Sequence, residues 1–344
     1  MEKGLLTPRK LLTRVAAALL LLAFVMVACS LIGSQRVSLR RAFEAWTTDG
    51  AVNPDYEIFV HVRLPRILLA AIVGSALACS GAVFQALLRN PLADPYILGI
   101  SSGAGLGAII AVISGLNWTL WGRSPIAVFA FAGALGTVWL VWFIGSLAGK
   151  FHITGLLLAG VVVNAFFSAL IMFLTSVAKS QDVHATIFWL MGNMTEESFG
   201  VLWMGSGCVI AGIFALFLMS PQLNAMSLSE DDASSMGVNT ARTRTLSFGV
   251  AAFITAVAVS LSGLVGFAGL IVPHGVRLVF GPDHRQLLPL SGIAGAIFLV
   301  VADTVGRVIV APAQLPAGVV TAVVGGPFFL FLLVKYSRKV GWSK

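Results

Sequence analysis

The amino-acid sequence predicts an all-α membrane protein of about ten transmembrane helices, forming a single domain over residues 1–344. Of the 344 residues, 22 are Lys or Arg and 14 are Asp or Glu, so 10% of the chain is charged, against about 25% in a soluble domain. Hydrophobic residues make up 58% of the chain, and the mean hydropathy is +0.95. Apolar runs near the ~20 residues that cross a bilayer as a helix recur along the sequence. These observations exclude a soluble protein.

The apolar runs give ten predicted spans. They are 12–32, 66–88, 97–115, 125–147, 153–177, 198–219, 246–262, 265–281, 287–308 and 314–334. The first run could also be a cleaved leader, but we interpret it as an uncleaved helix because a chain with many later spans needs no such leader. The weakest run is 265–281, since it is short and contains Pro273, His274 and Arg277. Without it the count becomes nine.

The basic residues predict which side of the membrane each end occupies. Lys3, Arg9, Lys10 and Arg14 lie before or at the start of the first span, and four more Lys or Arg follow the last one. Because cytoplasmic segments carry an excess of Lys and Arg, both termini are predicted in the cytoplasm, which favours an even count. We interpret the net charge of +8 as topology, so no nucleic-acid partner is predicted.

The sequence lacks the motifs of several enzyme classes. It has no P-loop, no HExxH and no GxSxG, and no two carboxylates lie inside the predicted spans. The three cysteines are odd in number and show no CxxC spacing, so they predict neither disulfides nor a zinc site. We therefore predict no catalytic residue, metal or cofactor on this chain. Asp303 is four residues before Arg307, and a structural ion pair is favoured there over a proton relay.

Two polar segments interrupt the apolar pattern. The loop from Arg89 to Gly99 contains Pro91 and Pro95, which forbid a continuous helix. It is either a tight connector or a gate, and the residues alone favour neither. The connector at about 220–245 contains a capped short helix, with Ser229 as N-cap, three acidic residues in the first turn and Gly237 as the stop. Such a helix exposes a defined surface.

Six segments, in order along nearly the whole chain, resemble the FecCD-type permeases, the membrane subunits of importers for iron-siderophores, haem and vitamin B12. The matching segments are Arg63-Leu64-Pro65-Arg66; Ser80-Gly81 with Gln85; Arg89-Asn90-Pro91-Leu92-Ala93; Gly269 to His274 with Arg277; Asp303 with Arg307; and Leu315-Pro316 through Gly318, Thr321, Gly325 and Pro327-Phe328-Phe329. The family usually has Gly where Ser229 stands.

The resemblance implies the type II ABC importer fold and its partners. These are a second copy of the chain in a homodimer, two separate ATPase subunits that carry the ATP and Mg²⁺, and a periplasmic substrate-binding protein. The location implied is the bacterial inner membrane. The missing P-loop is then expected, because the ATPase is another chain.

The resemblance also implies roles for particular residues. The helix that couples to the ATPase would comprise Ser229, Glu230, Asp231, Asp232, Ala233, Met236 and Gly237. The cytoplasmic gate would comprise Asn90, Leu92, Ile153 and Thr154. The fifth span offers Asn164, Phe167, Ser168 and Met172 as candidates to line the pathway.

Three arginines at the outer side have two interpretations. The first outer loop, about 33–65, is rich in Arg and strains the positive-inside rule, and Arg63 and Arg66 lie where it meets the second span. Arg307 lies at the outer end of the ninth span. The residues alone allow lipid-headgroup anchoring, whereas the resemblance implies docking of the binding protein.

The substrate cannot be read from the sequence, because the candidate pathway residues are uncharged and offer no haem ligand. Iron-siderophore, haem and cobalamin all stay open. Two other classes of function are a secondary transporter of a small organic solute and a purely structural membrane scaffold. Dependence on a co-purifying ATPase would distinguish the importer from both.

Overall fold

The computed structural model describes residues 6–33, 38, 53–116, 118–120, 124–147, 153–194 and 198–339. Most of the predicted outer loop, about 33–65, lies outside these residues. Every regular element within them is helical. The helices are α1 (Pro8–Leu31), α2 (Leu64–Leu87), α3 (Ile100–Ile113), α4 (Pro125–Leu147), α5 (Ile153–Val177), α6 (Ser180–Leu190), α7 (Phe199–Leu218), α8 (Ser220–Met226), α9 (Glu230–Ser235), α10 (Thr240–Ser262), α11 (Ala268–Phe280), α12 (His284–Val308) and α13 (Ala317–Lys339).

The all-α fold with about ten apolar helices is confirmed. Among the described residues, seven helices are long and apolar enough to cross a membrane, and three shorter apolar helices accompany them. The shorter ones are Ile100–Ile113, Ala268–Phe280 and Ala317–Phe331. Each predicted span overlaps one of these ten. The weak run 265–281 forms α11, whose 13 residues reach about 20 Å at 1.5 Å per residue, less than the ~30 Å of a bilayer core.

Some helix boundaries differ from the predicted ones. The second apolar helix is continuous from Pro54 to Leu87, because an α-helical turn and the π-helical stretch Ile58–Arg63 precede α2 without a break. Helix α10 begins at Thr240 rather than at residue 246, where Asn239 caps it. Helices α6 and α8 were not predicted. Both are short, with 11 and 7 residues, so no long apolar run in the sequence predicts them.

Helix α2 is the centre of the bundle and is buried along most of its length. It packs against α10, α11 and α12. A Cβ atom at Gly74 would overlap the backbone of Gly295 in α12, and one at Gly81 would overlap the backbone of Gly269 in α11. Helix backbones approach this closely only where side chains are absent, which is how helices pack in lipid.

Hydrogen bonds define two ends of the bundle. At the connector end, named for residues 220–239, Asn224 of α8 accepts a bond from the backbone N–H of His284 at the start of α12, at 2.8 Å. Arg14, near the start of α1, donates to Gln286 at 2.5 Å. At the arginine end, named for Arg63, Arg66 and Arg307, Arg63 donates to the carbonyl of Ser30 near the end of α1, at 2.8 Å.

Helix α13 begins beside the arginine end. Gln314, three residues before α13, accepts a bond from Arg66 at 2.8 Å. With 23 residues, α13 is about 34 Å long, enough to return through the bundle. The start of α1 and the end of α13 are therefore expected at the same end.

Candidate functional site

An uncharged cleft of about 720 Å³ opens between α3, α5 and α6. Three of the predicted pathway residues, Asn164, Ser168 and Met172, line it. Their spacing of four residues places them on one face of α5. Phe167 is not among the lining residues, and its partly buried ring packs against the hydrophobic core.

Six hydroxyl-bearing residues line this cleft among apolar ones such as Ile171 and Leu264, and none of the lining residues is charged. The hydroxyl-bearing residues are Ser101, Ser102, Ser168, Thr175, Ser176 and Thr186. Thr186 belongs to α6, a helix that was not predicted. A cleft with uncharged, largely apolar walls can pass a solute without holding it by an ion pair.

The predicted gate loop, residues 88–99, begins with an unusual helix end. The backbone N–H of Arg89 bonds to the carbonyl of Ala86 at 3.2 Å, and that of Asn90 bonds to the carbonyl of Gln85 at 3.1 Å. These two bonds form a Schellman motif, in which glycine normally occupies the left-handed position. Here Arg89 occupies it, with φ of 48°.

The remainder of the loop is held by side-chain caps. The Asn90 side chain accepts a bond from the backbone N–H of Leu92 at 2.9 Å. Asp94 accepts one from the N–H of Tyr96 at 2.8 Å, which starts the 3₁₀ turn Pro95–Leu98. Burial raises the pKa of the Asp94 carboxyl to about 6, against the opposing effect of that hydrogen bond.

The loop reaches the fifth predicted span. Glycine 160 of α5 faces the backbone of Ile97 and Leu98, close enough that a Cβ atom would contact both. Gly160 follows Ile153 and Thr154, the other two predicted gate residues, by about two helical turns. The structure thus places the loop against α5, and the gate role of these four residues stays a prediction.

The capped helix of the connector is confirmed as α9. The Ser229 hydroxyl accepts a bond from the N–H of Asp232 at 2.9 Å, and Gly237 ends the helix with φ of 81°. The N–H of Gly237 bonds to Ser234 at 2.9 Å and that of Val238 to Ala233 at 3.0 Å, a second Schellman motif. This one has the usual glycine.

The surface of this connector combines acidic and apolar groups. Asp231 and Asp232 are exposed, and so are Leu228 and Met236 at the two ends of α9, each 64% exposed. Ala233 is fully buried. It therefore holds α9 against the bundle and presents no surface to a partner.

Glu230 joins α9 to two other parts of the connector end. One carboxylate oxygen lies 3.2 Å from Arg89 Nη2 in the 88–99 loop, and the other pairs with Arg244 of α10. The side chain of Arg244 is 10% exposed, whereas those of Arg89 and Glu230 are 37% and 36% exposed. Sequence reasoning missed this cluster, because its members are far apart along the chain.

The three predicted docking arginines are buried, and two of them, Arg66 and Arg307, pair with Asp303. Arg66 Nε donates to Asp303 Oδ1 at 3.0 Å, and Arg307 Nε lies 3.1 Å from Asp303 Oδ2. Arg63, Arg66 and Arg307 are 4%, 8% and 7% exposed. The ion pair between Asp303 and Arg307 is confirmed. In this chain Arg66 holds α2 against α12, Arg63 bonds to the end of α1, and a docking role stays a prediction.

An all-α bundle of about ten apolar helices is the architecture of a multi-pass membrane protein. The chain belongs to the FecCD transport family, whose model matches residues 19–335.

Several characterised proteins are similar to this chain. It is 43% identical over 272 residues to the cobalamin import system permease protein BtuC of Halobacterium salinarum. The matched region covers 79% of this chain and 72% of that protein. It is 37% identical over 319 residues to the hemin transport system permease protein HmuU of Yersinia pestis, which covers 92% of this chain and 94% of that protein.

A solved structure supports the same fold. It is described as an inward-facing conformation of a metal-chelate type ABC transporter, and it matches with a TM-score of 0.81 and 31% identity. The match covers 94% of this chain and 99% of that one.

Proposed function

We propose that this chain is the membrane-spanning permease subunit of an ATP-binding-cassette importer for an iron-siderophore, haem or cobalamin. It would work in the inner membrane as a homodimer with two ATPase subunits and a periplasmic binding protein, and with both termini in the cytoplasm. The observation that carries this proposal is the family match over residues 19–335. The names of the relatives support the substrate class, since they describe import of cobalamin and transport of hemin.

The uncharged cleft between α3, α5 and α6 would form half of the translocation pathway, with the second copy supplying the other half. Its neutral walls fit the passage of a bulky chelate that the binding protein has already selected. They also count against the alternative, a secondary transporter of a small organic solute. Proton or ion coupling usually relies on ionisable residues inside the membrane, and none lines this cleft.

The connector would be the surface that docks on the ATPase. Leu228 and Met236 are large apolar side chains exposed beside a helix that carries acidic residues. Exposed apolar groups in a polar rim are typical of protein interaction sites, and a few such anchors supply most of the binding energy. An ATPase docked on this surface would let ATP hydrolysis on another chain drive a permease that has no P-loop of its own.

A pair of substitutions tests this docking surface. Leu228→Asp combined with Met236→Asp should release the ATPase from the purified complex, because both anchors become charged. Ser235→Asp is the matched control, since it adds a charge to the same exposed helix without removing an apolar anchor. Normal co-purification of the ATPase with the double variant would show that the contact lies elsewhere.

The energy source tests the whole proposal. The complex is reconstituted in vesicles and offered cyanocobalamin, hemin or ferrichrome on loaded binding protein. We expect uptake of one of these to require ATP and to persist when the proton gradient is collapsed. Uptake that follows the gradient and ignores ATP would instead identify a secondary transporter, and uptake of none would leave a structural scaffold.

Docking of the binding protein is proposed for the arginine end. Because Arg63, Arg66 and Arg307 are buried, with Arg66 and Arg307 paired to Asp303 and Arg63 bonded to Ser30, reversing their charge would disturb the packing of α1, α2 and α12 before it disturbed docking. Salt dependence of association with the wild-type chain is the cleaner test. Electrostatic steering weakens as salt screens it, so an association rate that ignores salt would favour lipid anchoring or a purely internal role.

A further inference from the structure

The two Schellman motifs at the connector end differ in one respect that sequence preference does not explain. At the end of α9 the left-handed position is Gly237, as usual. At the end of α2 the same position is Arg89, although a side chain there is unfavourable because Cβ crowds the backbone. A glycine at residue 89 would make the same backbone hydrogen bonds with less strain.

The side chain of Arg89 makes a contact that a glycine could not make. Its guanidinium lies 3.2 Å from Glu230 in α9, and the next residue in the chain, Asn90, is one of the predicted gate residues. Glu230 is anchored on its other side by Arg244, which is nearly buried in α10. The ion pair between Arg89 and Glu230 thus joins the exposed helix α9 to the left-handed residue of the turn that follows α2.

Stability alone does not account for this arrangement. Both partners are more than one third exposed, and ion pairs that exposed contribute little to folding. The strain of a left-handed arginine is at least as large as that contribution, so the ion pair gives no net gain in stability. Backbone strain that is kept without a stability gain is typical of residues with a functional role.

We propose that the Arg89–Glu230 ion pair is the link through which movement of α9 is transmitted to the 88–99 loop. This inference rests on the proposed function, because it needs an ATPase that moves α9. Arg89 acts as a positioning residue: it touches no substrate, and it sets the loop by following Glu230. A glycine at residue 89 would relieve the backbone strain, but it has no side chain through which movement of α9 could reach the loop.

The test separates stability from coupling. The variants are Arg89→Gly, which removes both strain and link; Arg89→Lys, which keeps the charge; and Glu230→Gln, which breaks the link from the other side. Arg242→Met is the control, since Arg242 is an exposed cation on the first turn of α10. Each is measured for melting temperature, and for molecules of probe taken up per ATP hydrolysed in vesicles. The probe is whichever of cyanocobalamin, hemin or ferrichrome the wild type imports.

We expect Arg89→Gly to melt no lower than the wild type while its uptake per ATP falls at least fivefold. Glu230→Gln should show a similar loss, and Arg89→Lys and Arg242→Met should retain most of the wild-type ratio. A wild-type ratio in Arg89→Gly or Glu230→Gln would overturn the proposal. So would a lower melting temperature of Arg89→Gly, because the ion pair would then serve the fold. If the wild type itself shows no ATP-driven uptake, the proposed function fails rather than this inference.

Discussion

Asp303→Ala should lower the free energy of unfolding by more than the loss of a solvent-exposed ion pair does. The Asp303 side chain is 1% exposed and accepts from Arg66 Nε at 3.0 and 3.2 Å. Arg307 Nε lies 3.1 Å from its second oxygen. Removal leaves two guanidinium groups buried without their shared counter-charge, and breaking a buried pair in this way costs about 3–5 kcal/mol. Asp303→Asn keeps an acceptor but loses the charge, so we expect about 1.5–3 kcal/mol.

The free energy of unfolding in mixed micelles, measured by SDS titration, tests these values. Arg285→Ala is the matched control, because its partner is also an aspartate but its side chain is 52% exposed. Such a pair contributes at most about 1 kcal/mol. If Asp303→Ala costs no more than Arg285→Ala, the arginine end is not held by its buried carboxylate and the reasoning about that end is wrong.

Three further predictions concern packing, a loop cap and the cleft. Gly81→Ala places a methyl group against the backbone of Gly269 in α11, so it should lower the free energy of unfolding by about 1–3 kcal/mol in the same SDS assay. Gly249→Ala adds its methyl group where nothing lies within 4 Å, so it should leave that free energy unchanged or raise it. Because burial raises the pKa of Asp94 to about 6, the folded chain binds a proton there that the unfolded chain does not. Stability should therefore rise as the pH falls from about 7 to 5, and the rise should be smaller in Asp94→Asn. Ser168→Trp should fill the cleft and lower uptake while ATP hydrolysis continues.

Each of these three has an outcome that contradicts it. Equal unfolding free energies for the two glycine variants would mean that α2 and α11 are not in backbone contact. An identical pH dependence in Asp94→Asn and the wild type would mean that the carboxyl is not desolvated. Full uptake by Ser168→Trp would place the pathway outside the cleft.

The features that sequence reasoning predicted are those set by local chemistry. Apolar runs mark the helices because the bilayer demands a minimum length of apolar residues. The cap at Ser229 and the stop at Gly237 follow from backbone groups within one turn, and the pair of Asp303 with Arg307 from helical spacing. The cap, the stop and the ion pair each depend only on residues about four positions apart or fewer.

The features that it missed depend on contacts between distant residues. Arg66 and Asp303 are 237 positions apart, and Arg89 and Glu230 are 141 apart, so no spacing rule joins them. The burial of Ala233 likewise follows from what lies beneath α9, not from the sequence of α9. Helix α6 was missed because its 11 residues are too few and too polar to give an apolar run.

The two ends of the bundle hold their charges in opposite ways, and this difference predicts where the protein moves. At the arginine end the shared carboxylate is 1% exposed, so separating the ions would strand buried charges and is strongly opposed. At the connector end Glu230 and Arg89 are 36% and 37% exposed, and water can replace Arg89 at little cost. Rearrangement is therefore expected at the connector end, with the arginine end as the fixed point. Amide hydrogen exchange should be faster in residues 88–99 and in α9 than in the turns of α2 and α12 around Arg66 and Asp303. Equal protection at both ends would contradict this.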